Sequence, residues 1–337
     1  AKEAPNIPTS TITNPPVHAI ACYYIYKNAK DKGVVKEFLI KIFPKLVMYH
    51  DYLLTVRDPE QSGAVTIMHP WESGMDNSPL WDEPLKNIVI DELPKYKRMD
   101  LKNIDPEQRP DDKTYDKFIY LIHFMKKYNY DYKAIYNKYP FKVKGVGFTS
   151  ILYAANEYLL KIADIIGADN SKIIKWQKLI SGNFKKNFYN KGLYHNYDLI
   201  ARKFIDKKTY ASFIPLYAGI LDNNEASILA ELIGDARFCG LECHVSSIPS
   251  ISRDSPEFSQ KTYWRGPIWI NINWMIYHGL KRYGFYDKAK KLKDGIIELV
   301  ENHGFYEYFD PYTGKGYGAD NFSWTAALLI DLLNDND

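Results

Sequence analysis

Two short stretches of this sequence combine carboxylates with aromatic side chains. Residues 71–79 contain Glu72 and Asp76, and residues 304–311 contain Glu307. Aromatic rings stack on the apolar faces of sugar rings, and a pair of carboxyl groups can act as the acid and the base that cleave a glycosidic bond. The two stretches therefore have the residue types of one sugar-cleaving site.

The first stretch is expected to be a loop, because its glycine and its proline oppose a continuous helix. Trp71 and Trp81 flank the carboxylates and could form an aromatic floor under a sugar ring. Glu72 has two possible roles: it accepts hydrogen bonds from sugar hydroxyls, or it braces the loop that holds Asp76.

A general acid must keep its proton near neutral pH, so burial or a neighbouring negative charge has to raise the pKa of Asp76. Glu307 lies between Tyr306 and Tyr308, whose hydroxyls could keep it ionised while it orients a water molecule. Because the two carboxylates are far apart in the chain, only a closed fold can bring them together.

Apolar residues at helical spacing predict about ten helices, and no stretch shows a clear strand pattern. The predicted helices are residues 17–27, 35–56, 115–129, 146–166, 171–188, 210–220, 224–232, 267–283, 287–303 and 321–334. Pro44 is expected to kink or divide the second helix, Pro267 to lie in the first turn of the eighth, and Asp287 to cap the ninth. Residues 58–113 lack periodicity, and irregular stretches of that length are usually functional. Recurring helical hairpins predict an all-α toroid whose loops form a pocket at one end.

The composition argues against several other functions. The net charge is +3 and the basic residues are dispersed, so nucleic acid is not an expected partner. No apolar run reaches the roughly 18 residues of a membrane span. Three cysteines are too few for a disulfide framework and fit a reducing compartment, so we expect a cytoplasmic protein. Cys239, Cys243 and His244 could begin a metal site, but no second ligand pair follows, and neither a metal nor a cofactor is expected.

Four separated motifs resemble the glycoside hydrolase family 63 group, which includes α-glucosidases and mannosylglycerate hydrolases. The motifs are residues 71–76, 263–273, 307–310 and 322–327. They occur in the family's order and extend over most of the chain from about Asn14 onward. The resemblance implies an (α/α)6 barrel, with the Asp of the first motif as general acid and the Glu of the third as general base. These residues are Asp76 and Glu307.

The resemblance also implies that the motif residues around the two carboxylates contact the sugar. The candidates for substrate binding are Trp71, Glu72, Asn77, Trp81, Tyr263, Trp264, Arg265, Gly266, Trp269, Asn271, Tyr308 and Trp324. Some of them have a second interpretation. Arg265 could form a salt bridge at a helix end, and the tryptophans of the later motifs could fill the core instead of lining the pocket.

The barrel of this family has twelve helices, and its first helical hairpin lies upstream of the stretch that matches residues 15–17. We therefore expect this chain to lack that hairpin, and a further segment or a second chain to fill the resulting seam. Residues 1–16 are then an extended lead-in, and residues 17–337 form a single catalytic domain.

The expected function is hydrolysis of an α-linked glucoside or mannoside with inversion, on a glucosylglycerate, a mannosylglycerate or a terminal α-glucoside. Inversion requires about 6.5–9.5 Å between the two carboxyl groups, whereas a retaining pair lies about 5–5.5 Å apart. Three alternatives remain open. They are a trehalase-like α-glucosidase, a sugar epimerase or lyase on the same barrel, and a non-catalytic sugar-binding remnant of the barrel.

Overall fold

The structure is a computed structural model that describes residues 12–102, 104–238 and 245–335. Most of the lead-in, residues 1–11, lies outside the described residues, and so do Cys239, Cys243 and His244. Contacts divide the chain into two compact units. The first comprises Ala1–Gly74 and Phe124–Phe204, and the second comprises Met75–His123 and Ile205–Asp337.

Twelve α-helices lie within the described residues. They are α1 (His18–Asn28), α2 (Lys32–Thr55), α3 (Asp82–Lys86), α4 (Asp112–Lys127), α5 (Tyr132–Ile135), α6 (Val146–Ile166), α7 (Ser171–Phe188), α8 (Ile214–Ala218), α9 (Asn223–Gly234), α10 (Ile270–Arg282), α11 (Tyr286–His303) and α12 (Ser323–Asn334). The ten predicted helices all have counterparts here, and the short α3 and α5 are additional. The helix-rich fold class is therefore confirmed.

Eight strands of two residues each occur in the same ranges. They are β1 (Thr66–Ile67), β2 (Val143–Lys144), β3 (Tyr189–Asn190), β4 (Leu193–Tyr194), β5 (Tyr197–Asp198), β6 (Lys203–Phe204), β7 (Tyr308–Phe309) and β8 (Gly316–Tyr317). In the first unit, β1, β2, β5 and β6 form one antiparallel sheet, and β3 pairs with β4. In the second unit β7 pairs with β8, with Tyr308 opposite Tyr317. Strands this short connect helices and do not form a layer of their own.

In the first unit, α6 is the central helix and packs against α1, α2 and α7. Its buried face repeats at helical spacing through Phe148, Ile151, Leu152, Ala155 and Leu159. This is the apolar stripe that the sequence pattern shows. The helix ends at Ile166, and the next residue, Gly167, has a φ of 70°, a left-handed conformation that glycine adopts without steric cost.

In the second unit, α10 is the central helix and packs against α8, α11 and α12. Gly279 allows the close approach of α8, because a Cβ there would lie 2.7 Å from the backbone nitrogen of Tyr217. Asn273 is fully buried in this apolar helix, and its side chain is satisfied by the backbone of Ile248: Oδ1 accepts at 2.7 Å and Nδ2 donates at 3.0 Å. The amide thus joins the helix to the segment that precedes it.

Pro44, which the sequence predicts to kink or divide the second helix, lies inside α2, and the helix continues through it undivided. Two other local predictions differ from the structure. The predicted helix start at Pro267 is wrong: α10 begins at Ile270, because Ile268 exchanges two backbone hydrogen bonds with Phe309 (2.8 and 3.0 Å) and so has extended backbone. Asp287 lies within the first turn of α11 and is not its cap. Within the described residues, the helices include none of the length and apolarity that a membrane crossing requires.

Candidate active site

The proposed acid, Asp76, lies in a loop of the second unit, and hydrogen bonds hold the backbone of this loop in place. In the chain, one 3-10 turn, Pro70–Ser73, precedes this loop and is followed by Gly74 with a φ of 72°, and a second one, Pro79–Trp81, follows Asp76. The indole nitrogen of the fully buried Trp81 donates to the carbonyl of Met75 at 2.7 Å. The backbone on both sides of Asp76 is therefore held, although no regular helix continues through it.

Asn77 joins this loop to the segment that precedes α10. Its Oδ1 accepts a hydrogen bond from the backbone nitrogen of Trp264 at 3.0 Å, and its carbonyl accepts one from Arg265 at 3.2 Å. Arg265 also donates twice to the carboxylate of Asp82, at 2.9 and 2.7 Å. For Arg265 the sequence predicts either binding of the substrate or a salt bridge at a helix end. In this structure its side chain forms the salt bridge.

The segment before α10 forms an aromatic wall. Trp264 and Trp269 stack face to face, with ring centroids 3.7 Å apart and an interplanar angle of 6°, and Tyr308 stacks on Trp269 at 5.0 Å. Both indoles are almost fully buried. Gly266 leaves room for the turn, because a Cβ there would collide with the carbonyl of Ser259. The two tryptophans are therefore packed in the interior of the wall and expose almost none of their surface.

Tyr263 has an unusual backbone conformation in this wall. Its φ of 29° lies in the left-handed region that a bulky residue rarely adopts. The indole nitrogen of Trp269 donates to the Tyr263 carbonyl at 2.9 Å, and this contact helps to hold the conformation. As a result, the Tyr263 hydroxyl reaches Oε1 of Glu307 at 3.3 Å.

Glu307, the proposed base, is buried and accepts three hydrogen bonds. Oε1 accepts from Tyr263, and Oε2 accepts from the backbone nitrogen of Ala319 at 3.2 Å and from Nη2 of Arg109 at 3.1 Å. The prediction that a neighbouring tyrosine hydroxyl holds the carboxylate is wrong for Tyr308, which donates to Gln108 at 2.8 Å instead. A tyrosine distant in sequence has that role.

Arg109 is the functional residue that sequence reasoning missed. It follows the 3-10 turn Pro106–Gln108, inside the long irregular stretch, and its guanidinium lies 4.1 Å above the ring of Tyr263. Among the described residues its buried Nε has no hydrogen-bond partner. The only sequence signal was an arginine at the end of a stretch without periodicity.

The electrostatics fit an acid that is half protonated near neutral pH. Burial raises the pKa of Asp76 to about 7, the negative charge of Glu307 adds to the increase, and the positive charge of Arg109 opposes it. The sequence predicts that burial or a like charge raises the pKa of Asp76. Both causes act here, and burial has the larger effect.

Asp76 lines a pocket of about 370 Å³ in the second unit. Asn77, Trp81, Arg109 and Arg265 contribute to its lining. The volume is within the usual range for small-molecule sites, roughly 300–1,000 Å³. Asp82 neutralises Arg265. Of the two arginines in this lining, Arg109 is the one whose buried Nε has no hydrogen-bond partner among the described residues.

Two predicted sugar contacts lie in the first unit. Glu72 is buried and forms a two-pronged ion pair with Arg57, at 2.5 and 2.9 Å, and it also accepts from the backbone nitrogen of Met68 at 2.8 Å. This arrangement favours the bracing role over the acceptor of sugar hydroxyls. Trp71 packs against the imidazole of His69, with ring centroids 4.8 Å apart.

The last two candidates belong to the second unit. Asn271, in the first turn of α10, is buried, and its Oδ1 lacks a hydrogen-bond partner within the part of the chain that the structure describes. Trp324, in the first turn of α12, is 44% exposed and packs loosely against Phe322. Its exposure shows that it does not fill the core.

Comparison with known proteins gives a consistent family. The family model described as the mannosylglycerate hydrolase MGH1-like glycoside hydrolase domain matches residues 1–325. The chain is 41% identical to a mannosylglycerate hydrolase of Thermus thermophilus, over 96% of this chain and 77% of that protein. It is 35% identical to the glucosylglycerate hydrolase of Mycolicibacterium hassiacum, over 96% of this chain and 75% of the relative.

Solved structures agree. The chain superimposes on a GH63 mannosylglycerate hydrolase of Thermus thermophilus in complex with Tris and D-glycerate with a TM-score of 0.90 and 40% identity, over 95% of this chain and 76% of that one. The same enzyme in complex with glucose also gives a TM-score of 0.90. A neutral trehalase of Saccharomyces cerevisiae, 14% identical with a TM-score of 0.61, shares the fold.

Proposed function

The chain belongs to the mannosylglycerate hydrolase MGH1-like family of glycoside hydrolases, and on that premise we propose that it cleaves the α-glycosidic bond of a glucosyl- or mannosylglycerate-like substrate. It is a glycoside hydrolase of a family whose members invert the anomeric configuration. The observation that supports an acidic aglycone is the guanidinium of Arg109. It lines the same pocket as Asp76 and has a buried donor without a partner among the described residues.

The proposed mechanism assigns one role to each carboxyl group. Asp76, protonated, donates its proton to the glycosidic oxygen as the bond to the anomeric carbon breaks. Glu307, ionised, takes a proton from a water molecule that attacks the opposite face of the sugar ring. We expect the carboxyl groups to lie about 6.5–9.5 Å apart in the substrate complex, so that this water fits between Glu307 and the ring.

The guanidinium of Arg109, one of the two arginines in the pocket lining, supports an anionic leaving group. A guanidinium binds a carboxylate through two parallel hydrogen bonds, which gives both energy and orientation. Arg265 already makes such a pair with Asp82, whereas Arg109 donates to Glu307 through Nη2. A glycerate carboxylate bound to Arg109 would place its 2-oxygen, the glycosidic oxygen, toward Asp76. Two relatives are named for glycerate glycosides, and one related structure holds D-glycerate.

We assign the remaining candidates by their positions. Asn77 and Trp81 line the pocket and are proposed members of the binding site. We propose that Asn77, whose Nδ2 has no partner among the described residues, contacts the substrate, and that the fully buried Trp81 supports the acid loop through its hydrogen bond to Met75. The other proposed members of the binding site in the second unit are Tyr263, Trp264, Arg265, Gly266, Trp269, Asn271, Tyr308 and Trp324. Trp71 and Glu72, which lie in the first unit, stay predictions.

We further propose that residues 17–337 form one catalytic domain, an (α/α)6 barrel that a further segment or chain completes. The chain spans 77% of the length of its Thermus relative and 66% of a Selaginella relative. In the first unit, a mostly apolar pocket of about 410 Å³ lies between the lead-in and α2, and Val34 and Met48 of α2 are 65% and 71% exposed. An apolar helical segment would cover such a surface. The low cysteine content supports a cytoplasmic enzyme.

The alternatives receive less support. The likeness to a trehalase extends to the fold alone, and none of the contacts described for the pocket favours a second glucose as leaving group. Both an acid with a raised pKa and a buried base are present in one unit, which supports catalysis over sugar binding without turnover.

A substrate panel tests the proposal. Mannosylglycerate, glucosylglycerate, trehalose and short α-glucans are incubated with the protein, and the first product is followed by NMR. We expect hydrolysis of at least one glycerate glycoside, with a first product of the opposite anomeric configuration. Cleavage of trehalose alone, or a first product that keeps the configuration, would contradict the proposal.

A further inference from the structure

Gln108 joins two backbone positions beside the proposed base. Its Oε1 accepts a hydrogen bond from the hydroxyl of Tyr308 at 2.8 Å and another from the backbone nitrogen of Gly318 at 3.0 Å. Tyr308 directly follows Glu307 in the chain, and Gly318 directly precedes Ala319. Ala319 in turn donates its N–H to Oε2 of Glu307 at 3.2 Å and accepts from the backbone nitrogen of Glu307 at 2.9 Å. One amide oxygen thus bridges the neighbour of the base and the neighbour of its backbone partner.

The hairpin that carries the base gains stability from such a contact. Its strands, β7 and β8, have two residues each, and an isolated two-stranded hairpin is marginally stable at best. Gly318 directly follows β8 with a φ of 72°, and glycine has more backbone freedom than any other residue. A contact that fixes the N–H of Gly318 restricts this freedom one residue before the N–H that binds Glu307.

Gln108 is itself held by contacts outside the hairpin. It ends the 3-10 turn Pro106–Gln108, and the side chain of Asp105 caps this turn by accepting from the backbone nitrogen of Glu107 at 3.1 Å. Lys261 donates to the carboxylates of Asp105 and Glu107, at 2.6 and 2.9 Å. The turn is therefore fixed independently of the base, and its glutamine has the support that it needs to position another residue.

The orientation of the Glu307 carboxylate decides which of its oxygens can act. Each carboxylate oxygen has two lone pairs. Oε2 accepts from Ala319 at 3.2 Å and from Arg109 at 3.1 Å. Oε1 accepts a single hydrogen bond among the described residues, from Tyr263 at 3.3 Å. Oε1 therefore keeps a lone pair that can take a proton from water, and a movement of the hairpin would displace this oxygen.

We propose that Gln108 is a positioning residue for the base: by holding Tyr308 and Gly318, it keeps Glu307 oriented with Oε1 toward the attacking water. This inference rests on the proposed function. Gln108 transfers no proton and acts through the two residues that it holds. Its side-chain oxygen has this role, because a backbone N–H can only donate and because Nε2 donates no hydrogen bond among the described residues.

Three substitutions of Gln108 separate its shape, its reach and its oxygen. Gln108→Met keeps the shape and removes the acceptor, and Gln108→Asn keeps the amide on a side chain that is one methylene shorter. Gln108→Glu keeps an acceptor oxygen at the same reach. We expect the first two variants to lower kcat by about 10- to 100-fold with a smaller change in KM, because the base is misplaced. Gln108→Glu should keep most of the kcat on a neutral substrate.

The α-glycosyl fluoride of the preferred sugar shows which carboxyl group is affected. Fluoride leaves with little help from an acid, whereas the attacking water still needs the base. The methionine and asparagine variants should therefore lose as much kcat on the fluoride as on the glycerate glycoside. The fluoride is also neutral, so it is the substrate on which Gln108→Glu is compared with the unaltered protein.

Gln260→Met is the matched control, because it makes the same change at an exposed glutamine of the same unit, and it should leave kcat and KM unchanged. Thermal unfolding shows which variants are folded, and Gln108→Asn serves alone if Gln108→Met does not fold. If Gln108 contributes only to stability, the folded variants keep the kcat of the unaltered protein. If it only binds the aglycone, KM for the glycerate glycoside rises and the fluoride is hydrolysed at the normal rate. Either result, or an equally large loss in Gln108→Glu, would overturn the inference.

The outcomes distinguish the inference from the function on which it rests. If the unaltered protein cleaves a glycerate glycoside and the methionine and asparagine variants keep its kcat, the inference is wrong and the proposed function stands. If the unaltered protein hydrolyses the fluoride but no glycerate glycoside, the proposed substrate is wrong, and the variants test the inference on the fluoride. If it hydrolyses neither, both are wrong. Equal losses on the two substrates, with activity retained in Gln108→Glu, support both.

Discussion

Arg265 binds Asp82 through two hydrogen bonds of 2.9 and 2.7 Å, and its Nη1 also donates to the carbonyl of Asn77. One guanidinium thereby connects three parts of the site. They are Asp82 at the start of α3, Asn77 next to the proposed acid, and the aromatic wall to which Arg265 itself belongs. The planar, forked geometry of arginine makes these contacts possible together, and a lysine ammonium cannot reproduce them.

Arg265→Lys is therefore expected to reduce kcat by about 10- to 100-fold with a smaller change in KM, because the acid loop is no longer held at its reactive position. Steady-state kinetics on the preferred glycerate glycoside measures this. Asp82→Asn should give a similar loss, and the double variant should lose little more than either single one. Additive losses would show that the two residues act independently.

Asp76→Asn and Glu307→Gln are expected to fail in different ways. The first removes the proton donor and should lower kcat by about 10²–10⁴-fold on natural glycosides, with a much smaller loss on the glycosyl fluoride. The second removes water activation and should lower the rate on both kinds of substrate alike. An Asp76→Asn enzyme with undiminished activity on a natural glycoside would refute its role as acid.

The raised pKa of Asp76 also predicts a pH-dependent effect on stability. The native state binds this proton up to about pH 7, whereas the unfolded chain releases it near the ordinary aspartate value of 3.8. The unfolded state therefore binds fewer protons between these two values, and this residue makes the fold less stable as pH rises through that window. Asp76→Asn should raise Tm by a few degrees above about pH 7 and have little effect below about pH 4. Thermal unfolding at both pH values measures the difference; an equal Tm change at both would contradict it.

Gly318→Ala is expected to inactivate the enzyme. Gly318 has a φ of 72°, and a Cβ there would collide with Oε2 of Glu307 and lie 2.7 Å from its Cβ. We expect kcat to fall by about 100-fold or more, because the base must move to make room. Gly167→Ala is the matched control. It has the same backbone strain, at a φ of 70°, but open space around it, so it should cost about 1 kcal/mol of stability and leave kcat unchanged.

Glu72→Gln tests whether that residue braces the fold or binds sugar. A neutral amide opposite the buried Arg57 leaves an uncompensated charge, and we expect the free energy of unfolding to decrease by about 3–5 kcal/mol. Asp294→Asn removes an exposed ion pair with Lys290 and should change stability by less than about 1 kcal/mol. Unchanged stability with a raised KM for Glu72→Gln would instead favour the sugar contact.

The sequence located the helices well where one face of each is apolar. The predicted bounds of α6 and α7 agree with the structure, because periodic burial and a terminal Gly167 are local signals. It failed at the start of α10, where Ile268 pairs with Phe309, a residue about forty positions away. A proline preceding an apolar run favours a helix locally, and only the partner strand reveals extended backbone.

The sequence by itself determined which carboxyl groups could be the acid and the base, since Asp76 and Glu307 are recognisable from their own motifs. Only the tertiary structure decided what surrounds them. Tyr263 and Arg109 reach Glu307 from other parts of the chain, and the pKa of Asp76 depends on burial by residues that no spacing predicts. Charge interactions act through space, so a lone arginine in an irregular stretch shows its role only when the fold places it 3.1 Å from the base.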